Sequence, residues 1–133
     1  MKLESVNELR EEIQRLNERI KVLRELSCGV SVPVLDGMPH AHAQESVVER
    51  YAQKIGDAQT KLDELKERFV IEQEQLEEEI FRRVKNLKAA AILIRRYVYG
   101  ELFKVIAIDL GYTEESTYYF HREGRKEFLR QLN

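Results

Sequence analysis

The residues best suited to chemistry cluster near the C-terminal end, in the run TEESTYYFHREGRKEFLR at 113–130. On a helix, Thr117, Phe120, Gly124 and Phe128 share one side and are expected to face inward. That places Glu115, Ser116, Tyr118, Tyr119, Arg122 and Lys126 outward. Arg122 has the planar fork that reads a guanine edge or holds a phosphate, and Lys126 and Arg130 suit phosphate. Tyr118 and Tyr119 can hydrogen-bond or stack on thymine methyls, and His121 flanks the same helix as a contact to DNA or solvent. Thr113 is a good N-cap, and with Arg125 it completes the expected contact set. The chemistry implied is recognition of a nucleic acid, without bond making.

Other constellations carry less. Cys28, His40 and His42 invite a metal, yet no second ligand pair stands at zinc-finger spacing, so no metal is expected. The run Glu77, Glu78, Glu79 reads as a solvated helix face. No nucleophile stands at a recognisable distance from a base and an orienting carboxylate, and no phosphate-cradling glycine loop occurs. The expectation is a protein that is not an enzyme and holds no cofactor.

Helices must position these groups. The 133 residues include only two prolines, six glycines and no tryptophan, while 35% are charged, a composition suited to long helices. Val6, Leu9, Ile13, Leu16, Ile20 and Leu23 recur every three or four residues, the a/d stripe of a heptad, and predict a helix over 4–26. Gly29, Pro33, Gly37 and Pro39 mark a connector over 27–45, with Val30, Val32, Val34 and Leu35 as its apolar residues. The stripe resumes at Val48, Tyr51, Ile55, Ala58, Leu62, Leu65 and Phe69, then runs less regularly through Leu76, Ile80, Val84 and Leu87. Gln73 interrupts it, and Glu72 and Glu79 occupy positions where a heptad wants apolar residues. One helix over 46–87 is predicted, its first half antiparallel to the first helix. Its second half needs another surface: the C-terminal domain or a second copy, so a homodimer is expected.

From Ala89 an apolar helix, AAAILIRRYVYG, ends at Gly100. A short helix follows, with Ile106 and Leu110 inside and Ala107 where helices must approach closely. Gly111 suits a turn that needs positive φ, and Glu114 and Glu115 suit the start of the next helix. A small residue, a glycine four positions later and an inward set in the second helix are the demands of a helix-turn-helix. The fold expected is all-α: a long antiparallel coiled-coil-like hairpin (1–88) followed by a small helix-turn-helix domain (89–133).

Net charge is −2, so any nucleic-acid site is local. Residues 28–88 carry 12 acids and 9 bases, which argues against DNA contact there, whereas 89–133 carry seven bases and six acids. A lone cysteine, a start (MKLESVNELREE) that turns charged at once and the lack of a long apolar run point to a cytoplasmic chain without membrane contact.

Leu93-Ile94-Arg95-Arg96-Tyr97, then Val105 through Tyr112, then Thr117 through Leu129, resembles region four of sigma factors. It is similar in particular to sigma-like phage and prophage regulators that join a coiled-coil N-terminal half to this domain. The likeness extends loosely over the coiled coil and Lys54-Ile55, and is specific over 93–129. It implies sequence-specific binding of double-stranded DNA and control of transcription, with a recognition helix over 114–131 and RNA polymerase as a co-binder. The family usually has a β-branched apolar residue where Thr117 stands. A coiled-coil interaction protein, such as a phage assembly adaptor or a modulator bound to RNA polymerase, is the alternative.

Overall fold

The computed structural model describes the backbone of residues 2–30 and 41–130, and side chains over 2–29 and 47–130. Most of the expected connector, with His40 and the side chain of His42, lies outside the described residues. Every regular element described is helical: α1 (Ser5–Val30), α2 (Ala41–Arg83), α3 (Leu87–Leu93) continuing into a π-helical turn (Ile94–Val98), α4 (Phe103–Leu110) and α5 (Glu114–Arg130). Both ends of the expected connector are therefore helical, since α1 runs on to Val30 and α2 starts at Ala41.

The chain forms two compact units, Arg10–Arg68 and Met1–Leu9 with Phe69–Asn133. The division differs from the expected one at residue 88, because the first nine residues and the end of α2 belong with the C-terminal helices. In the Arg10–Arg68 unit, Leu16, Ile20 and Leu23 of α1 and Ala58, Leu62 and Leu65 of α2 are buried. Glu12, Arg15, Leu16 and Arg19 line one shallow cleft together with Lys61 and Leu65, so the two stripes meet there. Ile13, Tyr51 and Ile55 are only half-buried and Val48 is exposed.

In the second unit Leu3 and Val6, Leu76, Ile80 and Val84 of α2, Ala89, Ala90 and Leu93 of α3, Ile94, Tyr97 and Val98 of the π turn, and Phe128 of α5 form one core. The apolar residues Leu76, Ile80 and Val84 are thus covered by their own chain, which removes the reason for expecting a homodimer from that segment. Gln73, which broke the sequence pattern, is half-buried and donates from Nε2 to the Val98 carbonyl at 3.0 Å. Asn7 Nδ2 donates to the Arg96 carbonyl at 3.2 Å. Carbonyls near the end of a helix lack intrahelical partners, and these two side chains supply them. Glu79 is held by two arginines of its own helix, Arg82 Nη2 donating to both oxygens at 2.5 and 2.6 Å and Arg83 Nε to Oε2 at 2.7 Å.

The expected single helix over 46–87 ends instead at Arg83, and α3 begins at Leu87. Asn86 is the reason: its φ is −73° and ψ 115°, and its Oδ1 accepts from Lys88 N at 3.0 Å and Ala89 N at 3.2 Å. An N-cap Asn satisfies donors that a continuous helix would bond to earlier carbonyls. The new helix also leaves Leu87 77% exposed, so it does not extend the buried stripe. At its other end the apolar helix widens: Tyr99 N donates to Ile94 O at 3.1 Å, five residues back. Gly100, at φ 71°, then turns the chain, as its position past the helix end led one to expect.

Candidate nucleic-acid interface

Two helices joined by a turn carry the candidate residues. α4 buries Ile106 and Ala107 and ends at Gly111, whose φ is 71° and ψ 28°. Tyr112 N donates to Ala107 O at 2.9 Å, closing the turn. Thr113 then caps α5: its Oγ1 accepts from Ser116 N at 3.0 Å and donates to Ser116 Oγ at 2.9 Å. The Thr113 carbonyl receives both the amide and the hydroxyl of Thr117, at 3.0 and 2.9 Å. Thr117 is wholly buried, and its hydroxyl is satisfied locally, so it leaves no orphaned polar atom in the core.

The inner face of α5 holds Thr117, Gly124 and Phe128, all buried, as the spacing indicated. Gly124 sits against α3: a Cβ there would meet Leu93 Cδ1 at 3.1 Å and the Ala89 Cβ at 3.2 Å. The missing side chain is what lets α3 and α5 approach this closely.

The ten expected contact residues separate into two groups. Glu115, Tyr118, Tyr119, Arg122, Lys126 and Arg130 are exposed along one face, with Tyr118 at 52% and Tyr119 at 50%. Tyr118 rests on Phe103 of α4, ring centroids 4.8 Å apart, and the Arg122 guanidinium lies 5.6 Å from the Tyr119 ring centroid. Glu123 lies between two cations, 3.9 Å from Arg122 Nε and 3.7 Å from Lys126 Nζ. The remaining four are engaged within the protein. Thr113 and Ser116 form the cap. His121 and Arg125, expected outside, turn inward.

Arg125 Nη1 donates to Glu4 Oε1 at 2.8 Å and to the Tyr97 hydroxyl at 2.6 Å. The Tyr97 oxygen lies 2.7 Å from His121 Nε2, with the two rings stacked at 5.6 Å and Phe103 edge-on to the imidazole at 4.7 Å. Since Arg125 donates to Tyr97, the tyrosine proton is available to His121 Nε2, which accepts it when the imidazole is neutral. Burial, reinforced by the charges of Arg125 and Arg96 and opposed by Glu4, pushes His121 down to about 4. Burial raises the Glu4 carboxyl, but the Arg125 hydrogen bond and charge outweigh it and hold it below the ordinary range. These groups tie α5 to the π turn and the first residues of the chain.

His121 makes a testable expectation. Its folded value of about 4 lies below the unfolded value of about 6.5, so the unfolded chain binds the proton first. Neutral His121 contributes stability that is fully present above pH ~6.5 and is lost as pH falls through ~4. The lowered Glu4 acts in the same sense. An NMR titration of the imidazole should give a midpoint near 4, and His121→Phe should flatten stability over that window. A midpoint near 6.5 would show that the ring is solvated and the network absent.

Next to α4, Arg95 pairs with both Glu101 and Asp109, and the Glu101 hydrogen bond, followed by the Asp109 one, raises its already high pKa. Both acids between α3 and α5 thereby share one guanidinium. Among the described residues no group of three or more histidines, cysteines or carboxylates could hold a metal ion, and no helix is long and apolar enough to cross a membrane. No family model, curated protein or solved structure matches the chain.

Proposed function

We propose that α4, the Gly111 turn and α5 form a helix-turn-helix, and that the chain is a sequence-specific regulator of transcription that binds double-stranded DNA. The observation that carries this reading is the division of α5. Thr117, Gly124 and Phe128 are locked into the core, while Tyr118, Tyr119, Arg122, Lys126 and Arg130 stand exposed along the opposite side. In a helix-turn-helix the second helix lies in the major groove and offers such a face to base edges. The resemblance of 93–129 to region four of sigma factors supports the same reading and a phage or prophage origin. α1 and α2 serve as a coiled-coil-like antiparallel hairpin that carries this domain. RNA polymerase as a co-binder, or a second copy on a second half-site, supplements the modest charge of one recognition unit in the cytoplasm.

Exposed Val70, Ile71 and Phe81 on α2 favour a second reading, an interaction protein that modulates RNA polymerase without touching DNA. Fluorescence anisotropy separates the two. The wild-type chain should bind a duplex selected from a random pool more tightly than a scrambled duplex, with affinity falling as salt rises. Failure to bind either duplex below about 100 µM at low salt, the weak end of non-specific affinity, would leave the interaction protein as the better account.

A further inference from the structure

The outward face of α5 has two unlike flanks. At 100° per residue, Glu115, Tyr119, Arg122, Lys126 and Arg130 share the outward sector, Tyr118 marks one edge, and Phe120 and Glu127 mark the other. On the Tyr118 side Arg96 is engaged within the protein: it lies over the Phe103 ring at 4.6 Å and gives Nη1 to the Glu101 carbonyl at 3.0 Å. On the Phe120 side stands the start of α3. The Lys85 amide donates to Glu127 Oε1 at 2.9 Å, which brings that backbone against the edge of α5. Lys88 Nζ lies 5.9 Å from the Tyr112 ring centroid and 5.7 Å from that of Phe120. Both lysines are exposed, and neither ammonium pairs with a carboxylate among the described residues.

We infer that Lys85 and Lys88 bind backbone phosphates along this flank of α5, extending the DNA contact beyond the two-helix unit. The inference rests on the DNA reading given above. A helix seated in the major groove brings the elements beside it over the sugar–phosphate rails, where cations contribute affinity and register without sequence information. Lys88 is preorganised for this, because two aromatic faces support its ammonium. Glu127 Oε1 accepts from the Lys85 amide, which fixes that carboxylate at this edge of α5. The exposed cations of α5, Arg122, Lys126 and Arg130, stand against Glu114, Glu115, Glu123 and Glu127, and the two lysines make it five against four.

The test is the salt dependence of binding to a pool-selected duplex and to its scrambled counterpart. Each phosphate contact contributes about 0.9 to the slope of log affinity against log salt. Lys85→Ala and Lys88→Ala should each lower the slope by about that much, the double variant by about twice as much, and the selected-to-scrambled ratio should stay constant. Lys88→Arg should keep the wild-type slope. Lys54→Ala, which removes the same charge from the Arg10–Arg68 unit, should leave it unchanged. A double variant with the wild-type slope, or a Lys54→Ala loss of equal size, would overturn the phosphate contact while leaving the DNA reading intact. No binding by the wild-type chain would overturn both.

Discussion

Replacing Phe128 with alanine should cost the protein about 3–5 kcal/mol of folding stability, the range for truncating a buried aromatic ring. Phe128 is 0% exposed and joins the core built by Leu3, Val6, the end of α2, α3 and the π turn. The Arg83 guanidinium lies 4.8 Å from its ring centroid, and Arg83 Nη1 is buried with no hydrogen-bond partner. The ring face is therefore what Arg83 has in place of a polar partner on that side. Alanine would leave both a cavity and a poorly solvated cation. Urea unfolding followed by circular dichroism should show the loss, and Phe128→Leu should lose less because most of the volume remains. A change below about 1 kcal/mol for the alanine variant would mean that α5 does not dock through this residue.

Much of this arrangement was legible because periodicity reports burial. The inner residues of α4 and α5 and the positive-φ positions at Gly100 and Gly111 follow from spacing and from glycine's freedom. His121 was legible too, in principle: it continues the stripe Thr117, His121, Gly124, Phe128, and a histidine there signals a polar core position. Its type suggested a surface contact, and tertiary packing overrode that. Arg125 gave no such sign, because its partner Glu4 is remote in sequence and no local pattern encodes the pairing.

The break at Val84, Lys85 and Asn86 shows another limit. It contains neither glycine nor proline, and the apolar stripe runs through Val84, so periodicity alone continues the helix. Only the capping chemistry of Asn86 marks the restart. The consequence reaches the candidate interface, since this restart places Lys85 and Lys88 beside α5. A tally of charge beginning at Ala89 omits both. Likewise Gln73 and Glu79 look like flaws in a heptad: Glu79 meets Arg82 and Arg83 at the local i+3 and i+4 spacings, whereas Gln73 reaches the Val98 carbonyl, a partner that a two-helix pattern could not anticipate.

The exposed face of α5 should yield different signatures for its different residues. Arg122→Ala is expected to weaken the pool-selected duplex by about 1–3 kcal/mol and to relax preference at one base position. The Arg122 guanidinium is exposed, weakly held by Glu123 at 3.9 Å and aligned by the Tyr119 ring, so it can leave for a guanine edge at little cost. Lys126→Ala should weaken selected and scrambled duplexes alike and lower the salt slope by about one, because a phosphate contact carries no sequence information. Tyr118 supplies a third signature. Phe103 backs its ring, so the ring is presented rigidly, and a thymine methyl would meet its face or edge. Tyr118→Ala should then behave like Arg122→Ala, whereas Tyr118→Phe keeps the ring and should retain most of the preference if the methyl contact dominates. A competition assay over all single-base variants of the selected site reads these effects position by position. Uniform losses for Arg122→Ala and Tyr118→Ala across every variant would place both residues on the phosphate rails and remove α5 as the reader of sequence.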